Sequence, residues 1–69
     1  MKLKPVDSEM LLAAGYDPKS FILHVVFRTG ESYRYKNVPG FVYDGLLKAD
    51  SKGKYMHKRI IGRYDYERV

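Results

Sequence analysis

The sequence predicts an α+β fold: a three-stranded antiparallel β-meander followed by two helices packed on one sheet face. Three observations carry that expectation. Residues 21–27, FILHVVF, are rich in β-branched and aromatic side chains and too short and bounded for a typical helix. Residues 32–36, SYRYK, alternate strictly in character, as a strand with unlike faces does. Beyond Pro39 the apolar period lengthens. Val38, Phe41, Val42, Gly45, Leu46 and Ala49 fall at i, i+3, i+4, i+7, i+8 and i+11, one continuous helical stripe.

Taken in order, residues 10–16 form an apolar first strand, and DPKS (17–20) turns the chain, Asp17 and Pro18 being natural turn occupants. FILHVVF is the second strand, and RTGE interrupts the pattern with Gly30 suited to a positive φ. SYRYK is the third strand. It stops at Val38-Pro39, because proline has no amide proton for the ladder and suits the first turn of a helix. DSKG (50–53) ends the first helix, and Ser51 can cap the second. On a wheel of 100° per residue, Met56, Ile60, Ile61 and Tyr64 share one arc, with His57 beside it and partly buried. Lys52, Lys54, Lys58, Arg59 and Arg63 occupy the remainder, making this helix short, basic and amphipathic.

The hairpin between the second and third strands decides what Tyr33 and Tyr35 do, since a one-residue slip exchanges the faces. A two-residue loop, Thr29-Gly30, would set them beside Ile22, His24, Val26 and Arg28, where exposed rings would form a stacking platform for bases. A three-residue loop, Arg28-Thr29-Gly30 with Gly30 left-handed, pairs Val25 with Tyr33 and Leu23 with Tyr35. That register gathers Phe21, Leu23, Val25, Phe27, Tyr33 and Tyr35 on one side. It leaves Ile22, His24, Val26, Arg28, Ser32, Arg34 and Lys36 on the other. It separates apolar from polar better and is favoured, with the tyrosines packed against the helices.

Sixty-nine residues make a single domain near the lower size limit for unaided folding, assigned here to residues 5–65 with a tail at 66–69. The chain has no cysteine, which excludes disulfide staples and thiolate metal sites and fits a cytoplasmic setting. No apolar run approaches the roughly 18 residues of a membrane span, and MKLKPVDS lacks the apolar segment of a secretion signal. The formal net charge is +5, all of it contributed by the second half of the chain. Within the stretch 48–63, Lys48, Lys52, Lys54, Lys58, Arg59 and Arg63 are opposed only by Asp50. Such asymmetry points to a polyanion, since each phosphate neutralised releases counterions.

Catalytic chemistry finds no support in the residues. GFVYDGLLK lacks the Lys-Ser/Thr of a phosphate loop and carries the helix stripe instead. His24 and His57 have no further ligands at metal spacing. Ser8, Ser20, Ser32 and Ser51 sit in no nucleophile elbow, and Asp44 and Asp50 form no acid–base pair. No cofactor, metal or small-molecule substrate is expected. The reading is a binding module for RNA, using Lys52, Lys54, Lys58, Arg59 and Arg63 with a second basic strip at Arg34 and Lys36. Tyr55, outside the apolar arc, is the aromatic expected to stack on a base, with Tyr66 second. The alternative is a protein partner or a homodimer, engaging the exposed Ile22 and Val26 or an open strand edge.

The order of motifs resembles the KTSC domain family. The matching features are GYD (15–17), Tyr33-x-Tyr35, Val38-Pro39, Tyr43, Ala49-x-Ser51-x-Gly53-x-Tyr55, and Ile60 with Tyr64, spread over about residues 6–64. That family takes its name from the C-terminal region of some bacterial lysyl-tRNA synthetases and also occurs as stand-alone bacterial proteins. The resemblance therefore implies RNA, including tRNA, as the partner class, with Tyr33, Tyr35, Val38, Pro39 and Gly53 as structural motif residues. The chain departs from the family at Met56-His57, where Phe-Asn is usual, and at Ile61, where Arg is frequent. A role resting on that Asn or Arg does not carry over.

Overall fold

Residues 3–69 are described by a computed structural model. The strands are β1 (Lys4–Pro5), β2 (Leu11–Asp17), β3 (Ile22–Phe27), β4 (Ser32–Tyr35) and β5 (Tyr66–Arg68), in one antiparallel sheet whose spatial order follows the chain. Two helices, α1 (Gly40–Lys48) and α2 (Lys52–Tyr55), pack on one face, α2 continuing as a π-helical turn over Met56–Ile60.

The central hairpin adopts the three-residue loop. Leu23 lies opposite Tyr35 and Val25 opposite Tyr33. Phe27 N–H donates to Glu31 O at 2.8 Å, and Gly30 takes φ +93°, a conformation that costs glycine little. Leu23, Val25, Phe27 and Tyr35 accordingly face the core with Val38, Val42 and Leu46 from the α1 side and Met56 and Ile60 from the π turn. Tyr16 fastens α1 to β2. Its hydroxyl donates to Val38 O at 2.5 Å, and its ring stacks on Tyr43 at 5.4 Å between centroids.

The sheet has five strands, not the three expected. Lys4 and Pro5 pair with Ala14 and Ala13 on the free side of β2, while Tyr66–Arg68 pairs with Tyr35, Arg34 and Tyr33 on the free side of β4. Every residue of both edge strands is exposed, so neither carries an apolar alternation that a sequence pattern could reveal. Backbone bonds flank both: Val6 N–H donates to Leu12 O at 3.0 Å beside β1, and Lys36 N–H to Asp65 O at 2.7 Å and Val69 N–H to Ser32 O at 2.9 Å beside β5. Residues 66–69, set aside as a tail, thus cover an edge, as β1 covers the other, leaving only short strands outermost.

Two aromatic side chains assigned to the core lie elsewhere. Phe21 precedes β3 with φ +58°, a left-handed turn conformation that swings its ring off the inner face, and it is exposed. Phe41 lies on the predicted stripe of α1 yet is 76% exposed. The side chain that covers α1 there is Tyr55. Its hydroxyl donates to Val42 O at 2.9 Å, and its ring lies over Gly45. A β-carbon on Gly45 would run into that hydroxyl and sit 2.9 Å from Cζ.

This contact makes a double-mutant cycle informative. Gly45→Ala should destabilise the native chain by about 1–3 kcal/mol through overpacking and loss of the Tyr55 hydrogen bond. In a Tyr55→Ala background the same change should stabilise by up to about 1 kcal/mol, the helix-propensity gain of alanine over glycine. Urea unfolding of the four proteins checks this, and an unchanged sign in the two backgrounds would refute the latch.

Candidate nucleic-acid interface

The basic residues sort by what holds them. Ser51 caps α2 through its hydroxyl, which accepts from Lys54 N–H at 3.3 Å. The following turn is wide, with Ile61 N–H donating to Met56 O at 2.7 Å, five residues back. Met56 and Ile60 are fully buried across this turn, while His57, Lys58 and Arg59 are turned outward. A wheel drawn at 3.6 residues per turn misplaces side chains on such a segment. His57, expected partly buried, is exposed for that reason. Gly62, at φ +81°, then swings the chain toward β5.

Lys54, Lys58, Arg59 and Arg63 are exposed. Arg63 is also oriented, its Nε donating to Lys58 O at 2.8 Å. Among the described residues the ion pair is Arg68–Glu31 at 3.2 Å, so no carboxylate within ion-pair range neutralises these four cations. Lys52 differs. It is half-buried, and its ammonium donates to Ala49 O at 3.1 Å, closing the C-terminus of α1. Tyr55, expected to stack on a base, is half-buried, and its hydroxyl is bonded to Val42 O, which fixes the ring against α1.

On the sheet, the two strips divide differently from expectation. Arg34 is exposed on the outer face, opposite His24 on one side and Glu67 on the other. Ile22 and Val26 on that face are half-buried, not open. Lys36 lies past the end of β4 and shares a cleft of about 560 Å3 with Gly62, Arg63, Tyr64, Asp65 and Tyr66. Arg63 also lines a second groove, of about 380 Å3, with Phe41, Val42, Tyr55, Arg59 and Tyr64. It therefore connects Lys36 at the sheet's end to Arg59 on the helical layer, along a surface whose one acid in the two clefts is Asp65.

The motif residues hold this arrangement in place. Tyr35 is 4% exposed. Tyr33 is half-buried under Tyr66, whose ring meets it perpendicularly at 5.2 Å, and its hydroxyl donates to Glu31 at 3.1 Å. These tyrosines are packing residues, their phenol pKa values raised, for Tyr33 by its bond to Glu31 and for Tyr35 by burial. Val38 N–H donates to Phe21 O at 2.8 Å, and Pro39 is the residue from which α1 springs. Gly53 lies against Met10, where a β-carbon would sit 3.3 Å from Sδ. Among the described residues no group of three His, Cys, Asp or Glu side chains is placed to hold a metal, and no helix is long and apolar enough to cross a membrane. Sequence reasoning missed Phe41 as a surface residue; the signal available was Gly45, a gap in the stripe that only a neighbouring ring would fill.

Fold and site together define a small α+β domain with a basic, aromatic-lined groove at one end of its helical layer. The chain belongs to the KTSC domain family, which it matches over residues 7–64. It is 31% identical to a KTSC domain protein from Yersinia pestis, whose crystal structure gives a TM-score of 0.96 over 99% of this chain and 96% of that one. It is 40% identical over 62 residues to a protein of Tsukamurella paurometabola, covering 90% of this chain and 92% of the relative. A lysine–tRNA ligase of Nostoc sp. is 39% identical over 67 residues, a match spanning 97% of this chain and 12% of the ligase.

The outer face carries a titration. His24, whose ring shares a hydrogen bond with the Ser32 hydroxyl, has its pKa held below the ordinary 6.5 by burial and then by the Arg34 charge. The unfolded chain therefore binds the proton first as pH falls. Stability contributed by neutral His24 is present above the unfolded value and is lost as pH drops from about 6.5 toward the folded value. Urea midpoints should decline between pH 7.5 and pH 5, and less so in His24→Gln. An identical decline in that variant would contradict the assignment.

Proposed function

We propose that this chain is a non-catalytic RNA-binding module of the cytoplasm, with tRNA among its candidate partners, acting through the face that carries Lys36, Lys54, Lys58, Arg59 and Arg63. The observation that carries the reading is the set of four exposed cations, Lys54, Lys58, Arg59 and Arg63, with no ion-pairing carboxylate among the described residues. Cations without an ion-pairing carboxylate attract a polyanion, and they do so without reading sequence. Arg63 supports the same conclusion by joining the sheet-end cleft to the helical groove. The match to a segment of lysine–tRNA ligases adds a partner class, since those relatives act on tRNA. Lys52 and Arg34 drop out of the binding face, the first engaged internally and the second on the outer sheet face, while Tyr55 contributes a wall of the helical groove and not an open stacking ring.

Four phosphate contacts on a single strand give a log–log salt slope of about −3. Lys54→Gln, Lys58→Gln and Arg59→Gln combined should flatten that slope by about 2 and weaken binding at low salt roughly tenfold or more. Fluorescence anisotropy with labelled tRNA and a short single-stranded RNA reads both quantities. Equal affinity and slope in the triple variant would sink the proposal and turn attention to a protein partner or homodimer on the outer sheet face.

A further inference from the structure

We propose that the groove beside Phe41 receives one unpaired base, stacked on that ring between the guanidinium groups of Arg59 and Arg63, so that the module prefers single-stranded RNA or loops to duplex. This rests on the RNA-binding reading above and adds the site and the form of nucleic acid.

Phe41 stands in the first turn of α1 and is 76% exposed, the most exposed of the large apolar side chains among the described residues. An isolated apolar side chain on a surface is ordinary. This one is not isolated. It lines a groove with Tyr55, Arg59, Arg63 and Tyr64, and no carboxylate is among the lining residues. The groove's walls are set independently of any ligand. Tyr55 is bonded to Val42 O, Tyr64 packs against the core, and Arg63 has its Nε on Lys58 O. That last bond uses one of five guanidinium donors and leaves the terminal nitrogens available for phosphate oxygens. An open aromatic ring in a groove that two arginines also line is complementary to a nucleotide: the base has a π-face for the ring, and the flanking phosphates have charge for the arginines. Paired bases are stacked within a helix and cannot offer that face, which is why the fit is to an unpaired one.

The chain contains no tryptophan, so Phe41→Trp introduces a single reporter at the point of contact. A single-stranded RNA hexamer should quench its emission on binding. Inorganic polyphosphate, a polyanion without bases, should bind and leave the emission unchanged. Phe41→Ala should weaken the hexamer roughly five- to a hundredfold, the usual effect of losing one stacked base, with polyphosphate affinity and thermal midpoint nearly unchanged. Arg63→Gln should weaken both ligands. If Phe41→Ala binds the hexamer as tightly as the native chain and with the same salt slope, base stacking is wrong while RNA binding stands. If the native chain binds no RNA at low salt, both fail. If Phe41→Ala instead abolishes self-association in sedimentation and leaves RNA binding intact, Phe41 is a protein contact and the base site is refuted.

Discussion

The register of the β3–β4 hairpin is the constraint on which the other features hang. With Val25 opposite Tyr33 and Leu23 opposite Tyr35, one sheet face becomes apolar enough to hold two short helices. A chain of this length has little other core to draw on. The same register sends Arg34 outward and commits Tyr33 and Tyr35 to packing. It also gives the C-terminal strand a partner edge on β4, where Tyr66 closes over both tyrosine rings at 5.2 and 5.6 Å. A slip by one residue would exchange these faces and leave the helices nothing to cover.

Above that sheet, a single side chain decides which aromatic residue meets solvent. Tyr55 reaches from α2 to the backbone of α1, and the absence of a side chain at Gly45 lets it do so. Because the ring occupies that part of α1, Phe41 is left outside, in a groove that Arg59 and Arg63 also line. The wide turn after Tyr55 complements this by burying Met56 and Ile60 while turning Lys58 and Arg59 outward. Packing thus sets the composition of the surface groove: the tyrosine suited to stacking is used internally, and a phenylalanine from the apolar stripe takes the exposed position.

What was legible in the sequence had a local or periodic cause. The hairpin loop announced itself through Gly30 and the two-residue alternation, the buried positions Val38, Val42 and Leu46 through the helical period, and the α2 cap through Ser51. The edge strands were illegible because backbone hydrogen bonds, which carry no side-chain signature, define them. Phe21 escaped because its placement follows from a left-handed φ that bulky residues seldom take. Phe41 and Tyr55 exchanged roles because a wheel drawn for one helix cannot say on which side its neighbour will lie. The basic character of the site was plain from composition, but Arg63's position between two clefts is a tertiary fact.

RNA is proposed to meet the protein at one end of the helical layer. An amide-resolved NMR titration with a short single-stranded RNA, at low and at physiological salt, tests it most directly. Shifts are expected at Lys36, Phe41, Lys54 and residues 58–63 that fade as salt rises, with the outer-face positions Ile22, His24 and Val26 unmoved. An unperturbed spectrum at low salt, or shifts confined to that outer face, would contradict it.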